Sequence, residues 1–239
     1  GDNCSPGDET QEIVKSFQHN DSRITYYRHT ENMGMAYNAA FVLEKATGEF
    51  FLSAADDDEW FPTYIEKCVV PLVEHPDVIM CTSQVILVFD SVINFWEDKN
   101  LITNDIITKN LFFYPYWELS SDFHTYGLLL AGRLKKIILK SGQNGGYGLY
   151  RTEMLKKLFF DPKYDSNKFG ADRTFLAFNN IFGSFYQIPE YLFVYHHHET
   201  AASKKPLEMK NDISRWEYYG LRINPLLTAY LNMIFDSLS

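Results

Sequence analysis

Two kinds of apolar pattern alternate through the first ninety residues, and that alternation limits the fold more than any other feature. Behind Asp8, Ile13, Val14 and Phe17 fall at helical spacing, with Asp8 placed to cap the helix. Ile24–Tyr27 is β-branched and aromatic and reads as a strand. Residues 34–46 carry Ala, Met, Leu and Phe and run to Gly48, which predicts a helix with a glycine stop. Glu49–Ser53 is a short apolar run, hence a buried strand. Thr63 and Glu66 form the T-x-x-E of a capping box ahead of Ile65, Cys68, Val69, Leu72 and Val73. Pro71 bends or shortens that helix. Val78–Thr82 and Gln84–Phe89 read as two further strands. Helix and strand in turn imply an α/β fold with a mostly parallel central sheet flanked by helices.

The second half is less regular. Residues 91–125 show no clear period. Leu128–Leu139 reads as a helix with a basic face at Arg133, Lys135 and Lys136. Gln143–Gly148 is a glycine-rich loop, and Met154, Leu155 and Leu158 mark a short helix. Ala171–Ile181 reads as a helix that opens with Asp172, and Tyr191–Tyr195 as a strand running into His196, His197 and His198. Residues 200–212 form a polar loop, and 213–235 an amphipathic helix or pair broken near Pro225. The organisation is one compact domain: a first half over 1–90, a second over 91–212, and a C-terminal helical segment over 213–239.

Composition narrows the function classes. Of 239 residues, 46% are hydrophobic and 22% charged, as in a globular protein and unlike a disordered or collagen-like chain. The apolar runs fall short of the roughly 18 residues that cross a bilayer. The net charge of −9 disfavours nucleic acid as a partner. Three scattered cysteines, Cys4, Cys68 and Cys81, make no disulfide framework and fit reduced thiols in a cytoplasmic setting.

Asp56, Asp57 and Asp58 follow the buried run 49–53 directly. Adjacent carboxylates repel one another and raise each other's pKa. A hard cation such as Mn²⁺ or Mg²⁺ relieves that repulsion through oxygen ligands. In open α/β sheets ligands bind at the carboxyl ends of the strands, where this triplet is expected. On spacing alone, a solvated acidic turn that caps the next helix fits as well.

Several segments carry a family likeness in order: Asp2-Asn3-Cys4-Ser5, Glu31-Asn32-Met33-Gly34, Ala46-Thr47-Gly48-Glu49-Phe50, and Asp56-Asp57-Asp58-Glu59-Trp60-Phe61-Pro62. Together they resemble the nucleotide-sugar half of family 2 glycosyltransferases, which have the GT-A fold, with a flavour of the bacterial surface-polysaccharide group. The likeness continues through Gly148-Leu149-Tyr150-Arg151, Gly170-Ala171-Asp172-Arg173 and His196-His197-His198, and so spans residues 1 to about 200.

The resemblance implies roles. Asp2 contacts the nucleotide base. Asp56 and Asp57 are the carboxylates of the DxD motif: Asp56 faces the ribose, and Asp57 holds the Mn²⁺ or Mg²⁺ that bridges the diphosphate. Asp58 assists at the metal or caps the next helix. Asp172 is the catalytic base, and His198 reaches the metal or diphosphate, with His196 the weaker candidate. Two departures stand out. Many members have Arg where this chain has Ala39. The family's first strand, first helix and second strand should precede residue 1, so the chain as given is expected to lack that strand–helix–strand.

The implied reaction is inverting transfer of a sugar from a nucleotide-diphosphate donor to a hydroxyl on a saccharide or lipid-linked acceptor. Polysaccharide or glycoconjugate synthesis in the cytoplasm, at the inner face of the membrane, suits it. The final helix, with Leu221, Leu226, Leu227, Tyr230, Leu231 and Ile234, is expected to pack on the domain; a peripheral membrane contact or a second copy of the chain is the other use for it. Rival readings are a catalytically inactive sugar- or nucleotide-binding module of the same fold, and a nucleotidyltransferase. Adjacent strand residues point to opposite faces, so the three histidines cannot all bind one ion. Tyr147 and Trp117 suit sugar stacking but more often serve as core, and Lys204 and Lys205 suit a lid or a solvated loop.

Overall fold

A computed structural model describes residues 1–89, 123–140, 146–159 and 171–197. The readings on 91–122, on Gly145, on Lys204 and Lys205, and on the helix over 213–235 lie outside the described residues.

The N-terminal elements are α1 (Glu9–Asn20), α2 (Met35–Lys45), β1 (Phe50–Leu52), β2 (Glu59–Trp60), α3 (Tyr64–Glu74) and β3 (Val78–Phe89). They are followed by α4 (Leu130–Lys140), β4 (Leu149–Arg151), α5 (Thr152–Phe159), α6 (Ala171–Phe182) and β5 (Ser184–His197).

The five strands form one sheet in the order β1-β4-β3-β5-β2. β1, β3 and β5 run in one direction, because β4 pairs antiparallel with both β1 and β3, and β3 with β5 is parallel. β2 pairs antiparallel with β5. The sheet is therefore mixed rather than mostly parallel: three of its four described pairings are antiparallel. The helix–strand rhythm of the first half does specify the common direction of β1 and β3. The short strands β4 and β2 then insert against them in the opposite sense.

Side chains leave the two faces of this sheet into two cores. On one face Tyr64, Cys68 and Leu72 of α3 pack on Cys81, Val85, Leu149 and Phe193. On the other, Leu43 of α2, Ile137 of α4, Leu155 of α5 and Leu176 of α6 pack on Met80, Tyr150 and Phe185. Met80 and Cys81, and likewise Leu149 and Tyr150, enter opposite cores, as the two-residue period of a strand requires. Helices thus cover both faces. Gly148 is needed where β4 approaches β3: a Cβ there would collide with the Met80 side chain and lie 3.2 Å from the Cys81 carbonyl.

Several local expectations are corrected. Ile24–Tyr27 is not a strand; only Arg28 bridges, to Asp2, and Tyr27 packs edge-on against Phe41. Phe50, Phe51 and Leu52 are half-buried, because β1 is the edge of the described sheet. Val78–Phe89 is one strand, not two; the register shifts at Ser83, Gln84 and Val85 mark a bulge where a break is expected. β5 begins seven residues before the expected strand at Tyr191, drawn into extended structure by its long pairing with β3. Neither Asp8 nor Thr63 makes a side-chain cap bond, so the capping box does not form. Asp8 bonds instead to Arg28 Nη1 at 2.9 Å. α2 ends at Lys45, ahead of Gly48, and starts from Gly34, whose φ of 88° needs a residue without a Cβ. Pro71 sits in the last turn of α3, which closes at Glu74.

Candidate functional site

The site is built where β1 ends. After Leu52 the chain passes through three small residues, Ser53, Ala54 and Ala55, and turns at Asp56 and Asp57. Both of those aspartates are exposed, while Asp58 is half-buried. β2 then runs back along β5, with Glu59 opposite Val194 and Trp60 opposite Phe193. The carboxyl ends of β1, β3 and β5 share one edge of the sheet, and the acidic turn lies on it.

Two contacts tie the turn to the end of β5. The His196 backbone N–H donates to Asp58 Oδ1 at 3.0 Å. The His196 ring Nε2 lies 3.4 Å from Glu59 Oε1. Beside them is an aromatic group: Trp60 stacks on Phe193 with centroids 4.9 Å apart, and Tyr147 lies 5.2 Å from Phe193 and 5.9 Å from Tyr195. Tyr147 is half-buried there and packs against the core around Phe193, and its backbone carbonyl accepts a hydrogen bond from the Tyr64 hydroxyl at 3.0 Å. Trp117 lies outside the described residues.

Asp2 is elsewhere engaged. Its Oδ1 accepts the Ser5 N–H at 2.7 Å, its Oδ2 accepts the Tyr26 hydroxyl at 2.5 Å, and Arg28 Nε is 3.6 Å away. Burial by itself would raise its pKa. The bonds from Tyr26 and Ser5, with Arg28 beside them, outweigh that and hold the carboxyl below its ordinary range. With the side chain 2% exposed, a ligand would reach this carboxylate only if the loop over residues 2–8 moved. Arg28 fastens that loop further, donating to the carbonyls of Ser5 and Gly7 and to Asp8.

Asp172 lies in the first turn of α6, the helix that leads into β5; the surroundings of its side chain are outside the described residues. His198 is also outside them, one residue beyond the end of β5. The structure therefore brings Asp56, Asp57 and Asp58 together, joins them to His196, and sets Asp2 into a separate loop clamp. Glu59 escapes sequence reasoning. Its signal is only its place in the strand that follows the triplet, and its partner is far along the chain.

Among the described residues no group of three or more His, Cys, Asp or Glu could hold a metal ion. The exposed carboxylate of Asp57 fits a hard cation of the Mg²⁺ type, which takes one or two carboxylates and completes its shell with water and phosphate oxygens.

The model of glycosyl transferase family 2 matches residues 1–159. The chain belongs to that family. Among solved structures it is similar to TarS residues 1–349 from S. aureus, with a TM-score of 0.52 and 16% identity over 82% of this chain. At that identity the likeness speaks for the fold, and it agrees with the family in giving GT-A. This chain covers 49% of that TarS chain, about half its length. No curated protein matches the chain. Among the described residues no helix is long and apolar enough to cross a membrane.

Proposed function

We propose that this family 2 member transfers a sugar, with inversion, from a nucleotide-diphosphate donor to a hydroxyl of a saccharide or lipid-linked acceptor in surface-polysaccharide or glycoconjugate synthesis. The observation that supports this most is the exposed Asp56–Asp57 turn at the strand-end edge of a GT-A sheet. Asp57 would hold Mn²⁺ or Mg²⁺, with Asp56 toward the ribose and His198 as a further reach to the metal or diphosphate. The bound cation would neutralise charge on the departing diphosphate.

Asp172 is the base in this reading. It takes the acceptor hydroxyl's proton while that oxygen attacks the anomeric carbon on the face opposite the leaving group. General-base help of this kind is worth roughly 10²–10⁴-fold in rate. The three free cysteines, Cys4, Cys68 and Cys81, support a cytoplasmic location for this reading. A second reading, a binding module without turnover, draws on two observations. Asp2 is committed to its own loop, and Ala39 stands where many members of the family have Arg.

A donor screen that follows release of nucleoside diphosphate with added Mn²⁺ separates the two. Transferase activity predicts release, abolished by Asp57→Ala, and slowed transfer with unchanged donor binding for Asp172→Asn. Donor binding without release from the unaltered chain would favour the module. Full activity in Asp57→Ala would refute the cation assignment, and equal loss of binding and transfer in Asp172→Asn would make Asp172 structural.

A further inference from the structure

β2 is only two residues long, yet it must carry the acidic turn to a fixed place against β5. Two backbone rungs, Glu59 with Val194 and Trp60 with Phe193, begin that pairing, and Phe61 N–H adds a bond to the Leu192 carbonyl. On the other side of β2 the backbone turns away into Asp57 and Asp56. The next β5 amide along the strand that meets this segment is that of His196, and it is taken by a side chain: Asp58 Oδ1 accepts it at 3.0 Å. The carboxylate thus continues the ladder by one rung after the backbone has left it. Glu59 and the His196 ring, 3.4 Å apart, flank the same joint.

A bond to an ionised acceptor is about twice as strong as a neutral one, and a two-residue strand has few others to hold it. From this geometry we infer that Asp58 is a positioning residue that pins the acidic turn to the end of β5, whereas Asp56 and Asp57 face the ligand. The bond itself is independent of what the turn binds. Its consequence for the cation rests on the proposed donor site. The joint also ties the turn to the last residues of β5.

The test compares Asp58→Asn, Asp58→Ala, Asp58→Glu and Asp57→Asn in the full chain. Asn keeps an Oδ1 acceptor in place without the charge. Glu keeps the charge but displaces the acceptor by one methylene. The first readout is amide hydrogen exchange at His196. Asp58→Asn, which keeps the acceptor and loses the charge, should exchange at a rate between those of wild type and Asp58→Ala. Asp58→Ala and Asp58→Glu should exchange about tenfold faster than wild type or more, as loss of a charge-assisted bond implies. The second readout is the affinity for Mn²⁺ alone, followed by the resonance of the free ion. Asp58→Asn should hold it within about threefold, and Asp57→Asn should weaken it by about tenfold or more.

Unchanged exchange at His196 in both Asp58→Ala and Asp58→Glu overturns the inference. So does an Asp58→Asn that weakens Mn²⁺ as much as Asp57→Asn, since Asp58 would then be a ligand. If the unaltered chain binds no Mn²⁺, the cation part of the proposed function fails, and His196 exchange still decides the role of Asp58.

Discussion

Replacing Arg151 with Met removes a guanidinium that closes the joint between α3 and β3. Arg151 leaves β4 and donates from Nε to the Val78 carbonyl at 2.9 Å and from Nη2 to the carbonyls of Leu72 and, at 3.5 Å, His75. Its guanidinium carbon also lies 6.0 Å from the centre of the Phe50 ring. The Leu72 carbonyl belongs to the last turn of α3, where carbonyls have no partner within the helix. Hydrogen bonds to a charged group contribute about 1.5–3 kcal/mol each. Counting the two closest near the lower end of that range, because the Arg151 side chain is only half-buried, and leaving out the long one, Arg151→Met should destabilise by about 3–4 kcal/mol. With a urea m-value of about 2–3 kcal/mol per molar, the unfolding midpoint should fall by about 1–2 M. Arg151→Lys can reach one carbonyl at a time, and its midpoint should fall between the two. Equilibrium urea unfolding followed by circular dichroism reads both variants. A midpoint for Arg151→Met within about 0.2 M of wild type would show that water replaces the guanidinium without loss, and the joint would owe its stability to packing alone.

Carboxyl-carbon NMR should show Asp2 titrating below the ordinary Asp value of about 3.9, and Tyr26→Phe should move that midpoint upward. Because the folded pKa is depressed, the loop's stabilisation by Asp2 is complete above about pH 4 and is lost as pH falls through the folded value; an Asp2 midpoint at or above 3.9 in the unaltered chain refutes the clamp. Gly148→Ala should cost about 1–3 kcal/mol, since Met80 or the β3 backbone must shift, and lower the melting temperature by several degrees. An unchanged melting curve would mean that β4 does not approach β3 so closely. Lys67 and Glu190 pair at 2.5 Å with both side chains more than a third exposed, so Lys67→Ala should change stability by less than about 1 kcal/mol, and less still in high salt. A larger loss in urea unfolding would indicate a pair shielded from water.

The sequence by itself determined the elements whose signals are local. α2, α3, β1 and the acidic turn after β1 follow from apolar spacing and from charge placed next to an apolar run, all within a dozen residues. The ordered motifs through Pro62 likewise carried the family, because turn chemistry and spacing along one stretch of chain are visible without coordinates. What only the tertiary structure decided involves partners far apart. Asp58 meets the His196 amide across 138 positions, and Arg151 reaches the Leu72 carbonyl across 79. No periodicity encodes such a bond, since a carboxylate or a guanidinium reads the same in sequence whether it faces water, a ligand or a distant backbone group. The order β1-β4-β3-β5-β2 was hidden for the same reason. A short segment such as Leu149–Arg151, two large side chains and an arginine, carries no periodicity that marks it as a strand, and which strands it lies between is set by how the faces of the whole sheet fill with side chains.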